Sequence, residues 1–202
     1  MTWVMFDYGG VISHPLTQQD LALLASAAGA AVPAFTEKYW AWRRAYDLAE
    51  LDVTGYWRHV GSDLGRSYSE TEVAELARLD RASWLRLQAG TVALIEDLAA
   101  AGQPLALLSN APDQLAEAIS GLPVARHFGQ LLFSCQLKLA KPDLACYRRA
   151  LGALRADPRD VIFVDDRGEN VTAAATLGLR SVLFTGTHEI RDAVTGLLAD
   201  AC

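Results

Sequence analysis

Five short apolar runs, each flanked by turn or polar residues, constrain the fold of this chain most strongly. They cover residues 3–6, 105–108, 130–133, 161–164 and 181–184. Runs this short and uniformly apolar are typical of parallel strands buried on both faces of a sheet. Helical patterns lie between them at 92–101, 114–120, 147–154 and 171–177, and three of these patterns stop at a glycine. The alternation predicts an α/β fold, a Rossmann-like parallel five-stranded sheet flanked by helices.

The interval between the first two strands breaks this alternation. It has no strand pattern, but it contains amphipathic helical stretches at 18–28, 34–47, 54–63 and 70–87 and four of the five tryptophans. We predict an inserted α-helical cap at residues 16–88 and an α/β core formed by residues 1–15 and 89–202. An insertion joined by two linkers is suited to act as a lid. Its tryptophans are expected in its own core, Trp40 less so than Trp57 and Trp84.

Composition and charge limit the classes of partner. The formal net charge is −6 and the basic residues are scattered, whereas nucleic-acid-binding chains usually carry a basic stripe. No apolar run approaches the ~20 residues that cross a bilayer, and no secretory leader pattern begins the chain. Cys135, Cys146 and Cys202 are too few for a disulfide framework or a zinc site. We expect a cytoplasmic monomer or homodimer with no nucleic-acid or membrane partner.

Polar residues follow four of the five predicted strands, at the edge where open parallel sheets bind ligands. The first strand is followed by an acid and two glycines, the second by a hydroxyl and an amide, the third by an amine across a loop, and the fourth by two acids. In that order the residues are Asp7, Gly9, Gly10, Ser109, Asn110, Lys141, Asp165 and Asp166. None is distinctive alone, but a purely structural protein has no reason to collect them at one edge.

The acids at this edge predict a nucleophile and a metal site. A carboxylate such as Asp7 can be a covalent nucleophile that forms an acyl-phosphate, and the glycine turn at Gly10 can offer backbone N–H groups to an anion. Adjacent carboxylates such as Asp165 and Asp166 repel each other unless a cation lies between them. Hard oxygen ligands favour Mg²⁺, which Asp7 and Asp166 would share. Helix capping by the two acids is the alternative.

The remaining polar residues at the edge suit a phosphate group. Lys141 can neutralise an attacking carboxylate and an incoming phosphate together. Lys138 is its rival, and we prefer Lys141 because Pro142 stiffens the next turn and can start a helix. Ser109 and Asn110 supply a hydroxyl and an amide for phosphate, although both are also ordinary helix-capping residues.

Taken together, these residues resemble the haloacid dehalogenase superfamily, and within it the phosphatases with a helical cap after the first strand. The matching stretches are VMFDYGGVI, LALLSNAP, KLAKPDLACY and VIFVDDRGENVTAAATLG. The chain is also similar to bacterial phosphatases that act on glucose 1-phosphate and to the phosphatase half of soluble epoxide hydrolases.

The resemblance implies a Mg²⁺-dependent hydrolase of a small phosphorylated metabolite, acting through an aspartyl-phosphate on Asp7. Asp7 would also be a metal ligand, together with the backbone carbonyl of Gly9 and the carboxylate of Asp166, while Asp165 would support the metal or the lysine. The resemblance also implies a partner for the nucleophile and two phosphate-binding residues, namely Lys141, Ser109 and Asn110.

One position departs from the superfamily pattern. Most of its phosphatases carry a second aspartate two residues after the nucleophile, which protonates the leaving group, but this chain has Gly9 there. General acid–base help is typically worth ~10²–10⁴-fold. We therefore expect hydrolysis that is weak or selective for good leaving groups such as an anomeric phosphate, unless another acid substitutes. Tyr8 and His14 are the nearest in sequence.

Two alternatives stay open. Haloacid dehalogenases of the superfamily also lack that acid and displace halide without a metal, although the pair Asp165 and Asp166 favours phosphate. A non-catalytic member would bind a phosphorylated ligand or a partner protein without turnover.

Substrate selection would belong to the cap. Trp40, Arg43 or Arg44, and Asp47 share one helix face at helical spacing. Arg43 is our candidate for binding an anionic group of the substrate, and a solvated helix face is the alternative.

Overall fold

Five strands form one parallel sheet at the centre of the molecule, which a computed structural model describes over residues 1–200. The strand order is β3-β2-β1-β4-β5. The strands are β1 Trp3–Phe6, β2 Leu105–Ser109, β3 Gln130–Phe133, β4 Val161–Asp165 and β5 Arg180–Leu183. The predicted fold class is confirmed, and each strand lies within one residue of its predicted bounds. Cys202 lies outside the described residues.

Helices cover both faces of this sheet. Val4 and Phe6 point to one face and pack with helices that follow β5 and precede β2, whereas Met5 and Phe163 point to the other face. This alternation follows from the two-residue period of a strand. The helices that alternate with the strands are α6 Ala89–Ala100, α7 Asp113–Ser120, α8 Ser134–Leu137, α9 Leu144–Leu154, α10 Gly168–Thr176 and α11 Thr187–Ala199.

Two details of the core differ from the sequence-based expectations. Helix α11 was not predicted, although its buried residues Ile190 and Val194 recur at helical spacing. Pro142 does not start a helix, because α9 begins two residues later at Leu144. Neither difference changes the order of the strands.

Five further helices lie between β1 and β2, and we call residues 16–88 the helical insertion. They are α1 Gln18–Ala27, α2 Val32–Ala41, α3 Arg43–Asp47, α4 Val53–Asp63 and α5 Glu70–Trp84. Capping boxes at Thr17 and Ser69 fix the starts of α1 and α5. The insertion buries its own cluster of apolar side chains, separate from the two clusters of the sheet. None of the helices in residues 1–200 has the length and apolar character needed to cross a membrane.

The helix predicted at 34–47 is two helices, because Trp42 interrupts it. Trp42 is the single turn residue between the end of α2 at Ala41 and the start of α3 at Arg43. Its indole stacks on His59 at 4.3 Å and donates a hydrogen bond to Asp63. These contacts hold Trp42 against α4.

Helix α3 and the turn after it contact the core directly. The hydroxyl of Ser134 donates a 2.5 Å hydrogen bond to the carbonyl of Asp47. The guanidinium of Arg44 lies 2.6 Å from the carboxylate of Asp143, which follows the Lys-Pro turn. The insertion is therefore fixed over the carboxyl edge of the sheet.

We predict that Trp57→Ala lowers the free energy of unfolding by about 3–5 kcal/mol, because Trp57 is fully buried between Phe35 and Tyr56. Urea denaturation measures this change. Trp42→Ala is the control, with an expected loss of about 1 kcal/mol, because Trp42 is only partly buried. Equal losses in the two variants would contradict the burial described for the insertion.

Candidate active site

Asp7 lies at the centre of the carboxyl edge of the sheet. It directly follows β1, which is flanked by β2 and β4, and its backbone N–H donates to the carbonyl of Val164 at 2.8 Å. Its Oδ1 accepts a 2.6 Å hydrogen bond from the N–H of Tyr8 and lies 2.7 Å from the Nζ of Lys141. Among the described residues, no hydrogen bond uses Oδ2, so this oxygen is available to attack an electrophile.

Lys141 joins Asp7 to the tandem acids. Its Nζ is 2.7 Å from Asp7 Oδ1 and also 2.7 Å from Asp165 Oδ2, and its side chain is 1% exposed. Asn110 fixes this lysine, because its side-chain amide accepts from the N–H and donates to the carbonyl of Lys141, both at 2.9 Å. Lys138 has a different place, since it is exposed and donates to the carbonyl of Leu48.

Asp165 and Asp166 have different environments. Asp165 is fully buried and also accepts hydrogen bonds from the N–H of Arg167 at 2.9 Å and from the amide of Asn170 at 2.9 and 3.0 Å. Asp166 is exposed at the edge. Neither acid is the N-cap of α10, because Arg167 occupies that position.

Three carboxylates meet here around one ammonium. Asp7, Asp165 and Asp166 each place an oxygen within 4.8 Å of the other two. Lys141 is the cation that contacts Asp7 and Asp165 directly, so three ionised carboxylates against this one ammonium leave an excess of two negative charges. A divalent cation with oxygen ligands would balance this excess, so the donor set fits Mg²⁺.

Burial and neighbouring charges both shift the pKa values of these groups. Burial raises the pKa of Asp7 to about 7, although the charge of Lys141 lowers it. Burial also raises the pKa of Asp166, and the charge of Asp165 adds to this effect. Burial alone would lower the pKa of Lys141, but the charges of Asp7 and Asp165 raise it. A nearby cation favours the charged form of a carboxyl group.

Gly10 brings the turn after β1 against Asp166. Its φ is +77, a conformation that costs glycine little. A Cβ atom at this position would lie 2.1 Å from Asp166 Oδ2. Glycine is therefore required twice, once for the backbone conformation and once for the close approach.

A cavity of about 670 Å³ lies between this group and the helical insertion. The predicted site residues that line it are Asp7, Gly9, Gly10, Arg43, Ser109, Asn110, Lys141 and Asp166. Asp165 is absent from the lining because it is buried behind Lys141. Trp40, Arg44, Asp47 and Trp84 of the insertion also line the cavity. Trp40, Arg43, Arg44 and Asp47 thus line one cavity, although Trp40 lies on α2 and the other three lie on α3, so they do not share a single helix face as predicted.

Arg43 is a buried residue that is bound within the insertion. Its Nη1 and Nη2 lie 3.0 Å from carboxylate oxygens of Asp80 and Asp47, respectively. Its guanidinium also lies over the rings of Tyr39 and Tyr46, at 5.3 and 5.4 Å from their centres. Its Nε is buried without a partner among the described residues. A solvated helix face is therefore wrong for Arg43.

Neither of the two acids considered as substitutes at Gly9 offers a free proton to the cavity, although Tyr8 lines it. The hydroxyl of Tyr8 donates to the carbonyl of Trp84 at 2.8 Å, and burial raises the pKa of Tyr8. His14 is exposed and does not line the cavity. The indole of Trp84 instead occupies the space beside Gly9. No local pattern reveals this contact, because it joins distant parts of the chain.

Comparison with known proteins identifies the family to which the chain is related. The family model described as haloacid dehalogenase-like hydrolase matches residues 1–178. Phosphoglycolate phosphatase 1 of Pseudomonas aeruginosa is 28% identical over 190 residues, which cover 90% of this chain and 68% of that protein. Bifunctional epoxide hydrolase 2 of Rattus norvegicus is 36% identical over 64 residues, 32% of this chain but 12% of that protein. The chain therefore spans only a small part of this longer relative.

A solved structure shares the whole fold. It is a family enzyme of Bacteroides thetaiotaomicron in complex with magnesium and inorganic phosphate. Its TM-score is 0.72 at 16% sequence identity, and the match covers 91% of this chain and 93% of that one. At this identity the likeness establishes the fold.

We predict that Gly10→Ala destabilises the protein by about 1–3 kcal/mol through its positive φ and weakens Mg²⁺ binding by displacing Asp166. Gly152→Ala in α9 is the control, because a Cβ there meets nothing within 4 Å and is expected to add about 0.5–1 kcal/mol. Urea unfolding with and without Mg²⁺ measures both effects. A Gly10→Ala variant with wild-type stability and Mg²⁺ response would refute the predicted close packing.

A second prediction concerns Lys141→Met, which leaves Asp7 and Asp165 buried without their counter-charge. We expect a loss of about 3–5 kcal/mol in the free energy of unfolding. The loss should be greater near pH 8 than near pH 5, because the charge of Lys141 lowers the pKa of Asp7, so its removal makes Asp7 easier to protonate and the burial of this carboxyl group then costs less at low pH. Lys138→Met is the control and should lose less than about 1 kcal/mol. Similar losses in both variants, at both pH values, would argue against the buried ion group.

Proposed function

The chain belongs to the haloacid dehalogenase-like hydrolase family, and on this basis we propose that it is a magnesium-dependent phosphatase of a small phosphorylated metabolite. One observation carries the proposal. The Lys141 ammonium lies 2.7 Å from both Asp7 and Asp165 on the floor of a cavity. A carboxylate with one free oxygen beside a fixed cation suits nucleophilic attack on a phosphate ester.

Asp7, Asp166 and the backbone carbonyl of Gly9 are the proposed Mg²⁺ ligands. We assign Asp165 to the support of Lys141, because its oxygens already accept hydrogen bonds from Lys141, Asn170 and the backbone. The excess of two negative charges supports a divalent ion, and so does the magnesium in the Bacteroides structure. When bound, the ion neutralises phosphate oxygens and the charge that develops on them.

Phosphate is proposed to bind among groups from two strand ends, those of β1 and β2. Ser109 is buried at the end of β2 and offers its hydroxyl, and Gly10 and Asn110 offer backbone N–H groups. The side chain of Asn110 is engaged with Lys141, so its proposed part beyond the N–H is to position that lysine. Arg43 lines the cavity, and we assign its positive charge to the attraction of a more distant anionic group of the substrate.

The proposed reaction has two steps, and both occur at phosphorus. Asp7 Oδ2 attacks the phosphorus, the bond from phosphorus to the ester oxygen breaks, and that oxygen leaves with the bonding pair. Lys141 keeps its proton and balances the negative charge. Water then attacks the phosphorus of the acyl-phosphate, phosphate leaves, and Asp7 regains its carboxylate. Since Gly9 provides no acid, turnover should favour esters whose alcohol is a good leaving group.

The substrate is thus proposed to be a small molecule, and the enzyme a cytoplasmic monomer or homodimer with no nucleic-acid or membrane partner. Haloacid dehalogenation and ligand binding without turnover are the alternatives. Dehalogenation explains the charge excess less directly, because halide displacement needs no metal, and turnover distinguishes the binding alternative.

We predict that the protein releases phosphate from 4-nitrophenyl phosphate only with Mg²⁺, and that Asp7→Asn abolishes this release because the nucleophile is lost. Asp166→Asn should raise the Mg²⁺ concentration needed for activity. Asp192→Asn, an exposed acid on α11, is the control and should behave as wild type.

The alternatives give different results in the same assay. Halide release from a 2-haloacid without Mg²⁺ would identify a dehalogenase. No turnover of any substrate, with a melting temperature raised by Mg²⁺ and phosphate, would identify a binding protein.

A further inference from the structure

Two tryptophans of the helical insertion, Trp40 and Trp84, line the same cavity as Asp7 and Lys141, and they indicate what the substrate carries. We propose that Trp84 and Trp40 bind the leaving group, and that the preferred substrate is the phosphate monoester of an aromatic hydroxyl. This inference rests on the proposed phosphatase function. It adds a substrate class and two residues that determine specificity.

Trp84 occupies the space beside the reacting group. A Cβ atom at Gly9 would have three Trp84 ring carbons as its nearest neighbours, at 3.2, 3.8 and 3.9 Å. Gly9 is two residues from Asp7 and also lines the cavity. In-line transfer places the leaving oxygen on the side of phosphorus away from Asp7, which is the side that the insertion covers. The leaving group therefore contacts the indole ring of Trp84 beside Gly9, the position that lacks a general acid.

Hydrogen bonds to its indole and to its backbone hold Trp84 in place. Its Nε1 donates to the hydroxyl of Tyr39 at 3.3 Å, and that hydroxyl donates to Asp80 at 2.6 Å. The backbone carbonyl of Trp84 accepts the 2.8 Å hydrogen bond from Tyr8. The ring is thus fixed before any ligand binds, as a specificity wall requires.

Trp40 extends this wall and leaves aromatic surface uncovered. Its ring meets the Trp84 ring edge-on, with centres 6.5 Å apart and an interplanar angle of 81°. Trp40 is 47% exposed and lines the cavity. The other tryptophans of the insertion are already covered, since Trp57 is buried and Trp42 stacks on His59. A flat ring bound in the cavity would cover the exposed face of Trp40.

The absence of an acid at Gly9 favours the same class of substrate, the phosphate esters of aromatic hydroxyls. An ester oxygen that departs without a proton leaves as an anion, and a phenol, with a pKa of about 10, forms this anion far more readily than an aliphatic alcohol. An aromatic ring therefore meets both requirements, because it stacks on tryptophan and stabilises the departing oxygen. The cavity volume of about 670 Å³ suits a small molecule.

Asp47 is the carboxyl group of the insertion that could instead donate a proton to the leaving group. It lines the cavity and lies 3.0 Å from the Nη2 of Arg43. Burial raises the pKa of Asp47 to about 6. An acid at this place would make turnover insensitive to the leaving group, so the experiment includes Asp47→Asn.

The test measures kcat/KM with Mg²⁺ for a series of substituted phenyl phosphates, for glucose 1-phosphate and for glycerol 3-phosphate. We expect kcat/KM to fall steeply as the pKa of the leaving phenol rises. We expect it to be about 100-fold or more lower for glycerol 3-phosphate than for the phenyl phosphates. Trp84→Leu and Trp40→Leu should each raise KM for phenyl phosphates about 5- to 10-fold. Trp84→Phe should keep the aryl preference, and Trp42→Leu is the matched control with unchanged KM.

Gly9→Asp provides an independent readout. In the wild-type background the new side chain presses on the Trp84 ring, so the variant should melt at a lower temperature. In the Trp84→Ala background the same substitution should lower the melting temperature less than it does in the wild type, and the double variant should show a flatter dependence on leaving-group pKa.

Four results would overturn the inference. They are a shallow dependence in the wild type that becomes steep in Asp47→Asn, a preference for glucose 1-phosphate, equal effects of Trp42→Leu and Trp84→Leu on KM, and a Gly9→Asp variant that is as stable as wild type. These results leave the phosphatase proposal intact, provided that phosphate is released. Absence of phosphate release from every ester would end both proposals.

Discussion

The buried ammonium of Lys141 is the interaction on which the rest of this structure depends. It lies between Asp7, at the end of β1, and Asp165, at the end of β4, while Asn110 after β2 holds its backbone. Charges this deeply buried are costly unless they are paired. The loops after β1, β2 and β4 must therefore all keep their places around one side chain. The carboxyl edge of the sheet is thus a single electrostatic unit.

This unit has more negative than positive charge, and a separate part of the chain covers it. Both features bear on function. Three carboxylates against one ammonium favour a divalent cation, with Gly10 allowing Asp166 to approach. The helical insertion covers the unit through α3, which bonds to Ser134 and Asp143. The same insertion places an indole beside Gly9. In the proposed reaction, fixed charges would support the attack on phosphate, while the departure of the leaving group would depend on the properties of that group.

The sheet and the residues at its edge could be predicted from the sequence because both depend on local patterns. Strands buried on both faces read as apolar runs, and parallel strands bring whatever follows them to one edge. Contacts between distant segments were not predictable. Trp84 and Tyr8 are 76 residues apart, and helical spacing alone predicts Trp84 only in the core of the insertion. The burial of Arg43 depends on Asp80, which lies on another helix. The break at Trp42 depends on its contacts with His59 and Asp63.

A crystal structure of the protein with Mg²⁺ and beryllium fluoride tests the central claim most directly, because this anion imitates a phosphoryl group on a carboxylate. The account predicts beryllium bonded to Asp7 Oδ2, a fluorine near Lys141, and the cation between Asp7 and Asp166. Beryllium fluoride bound away from Asp7, or a cation held by other residues while Asp7 keeps only its contacts with Lys141 and Tyr8, would contradict it.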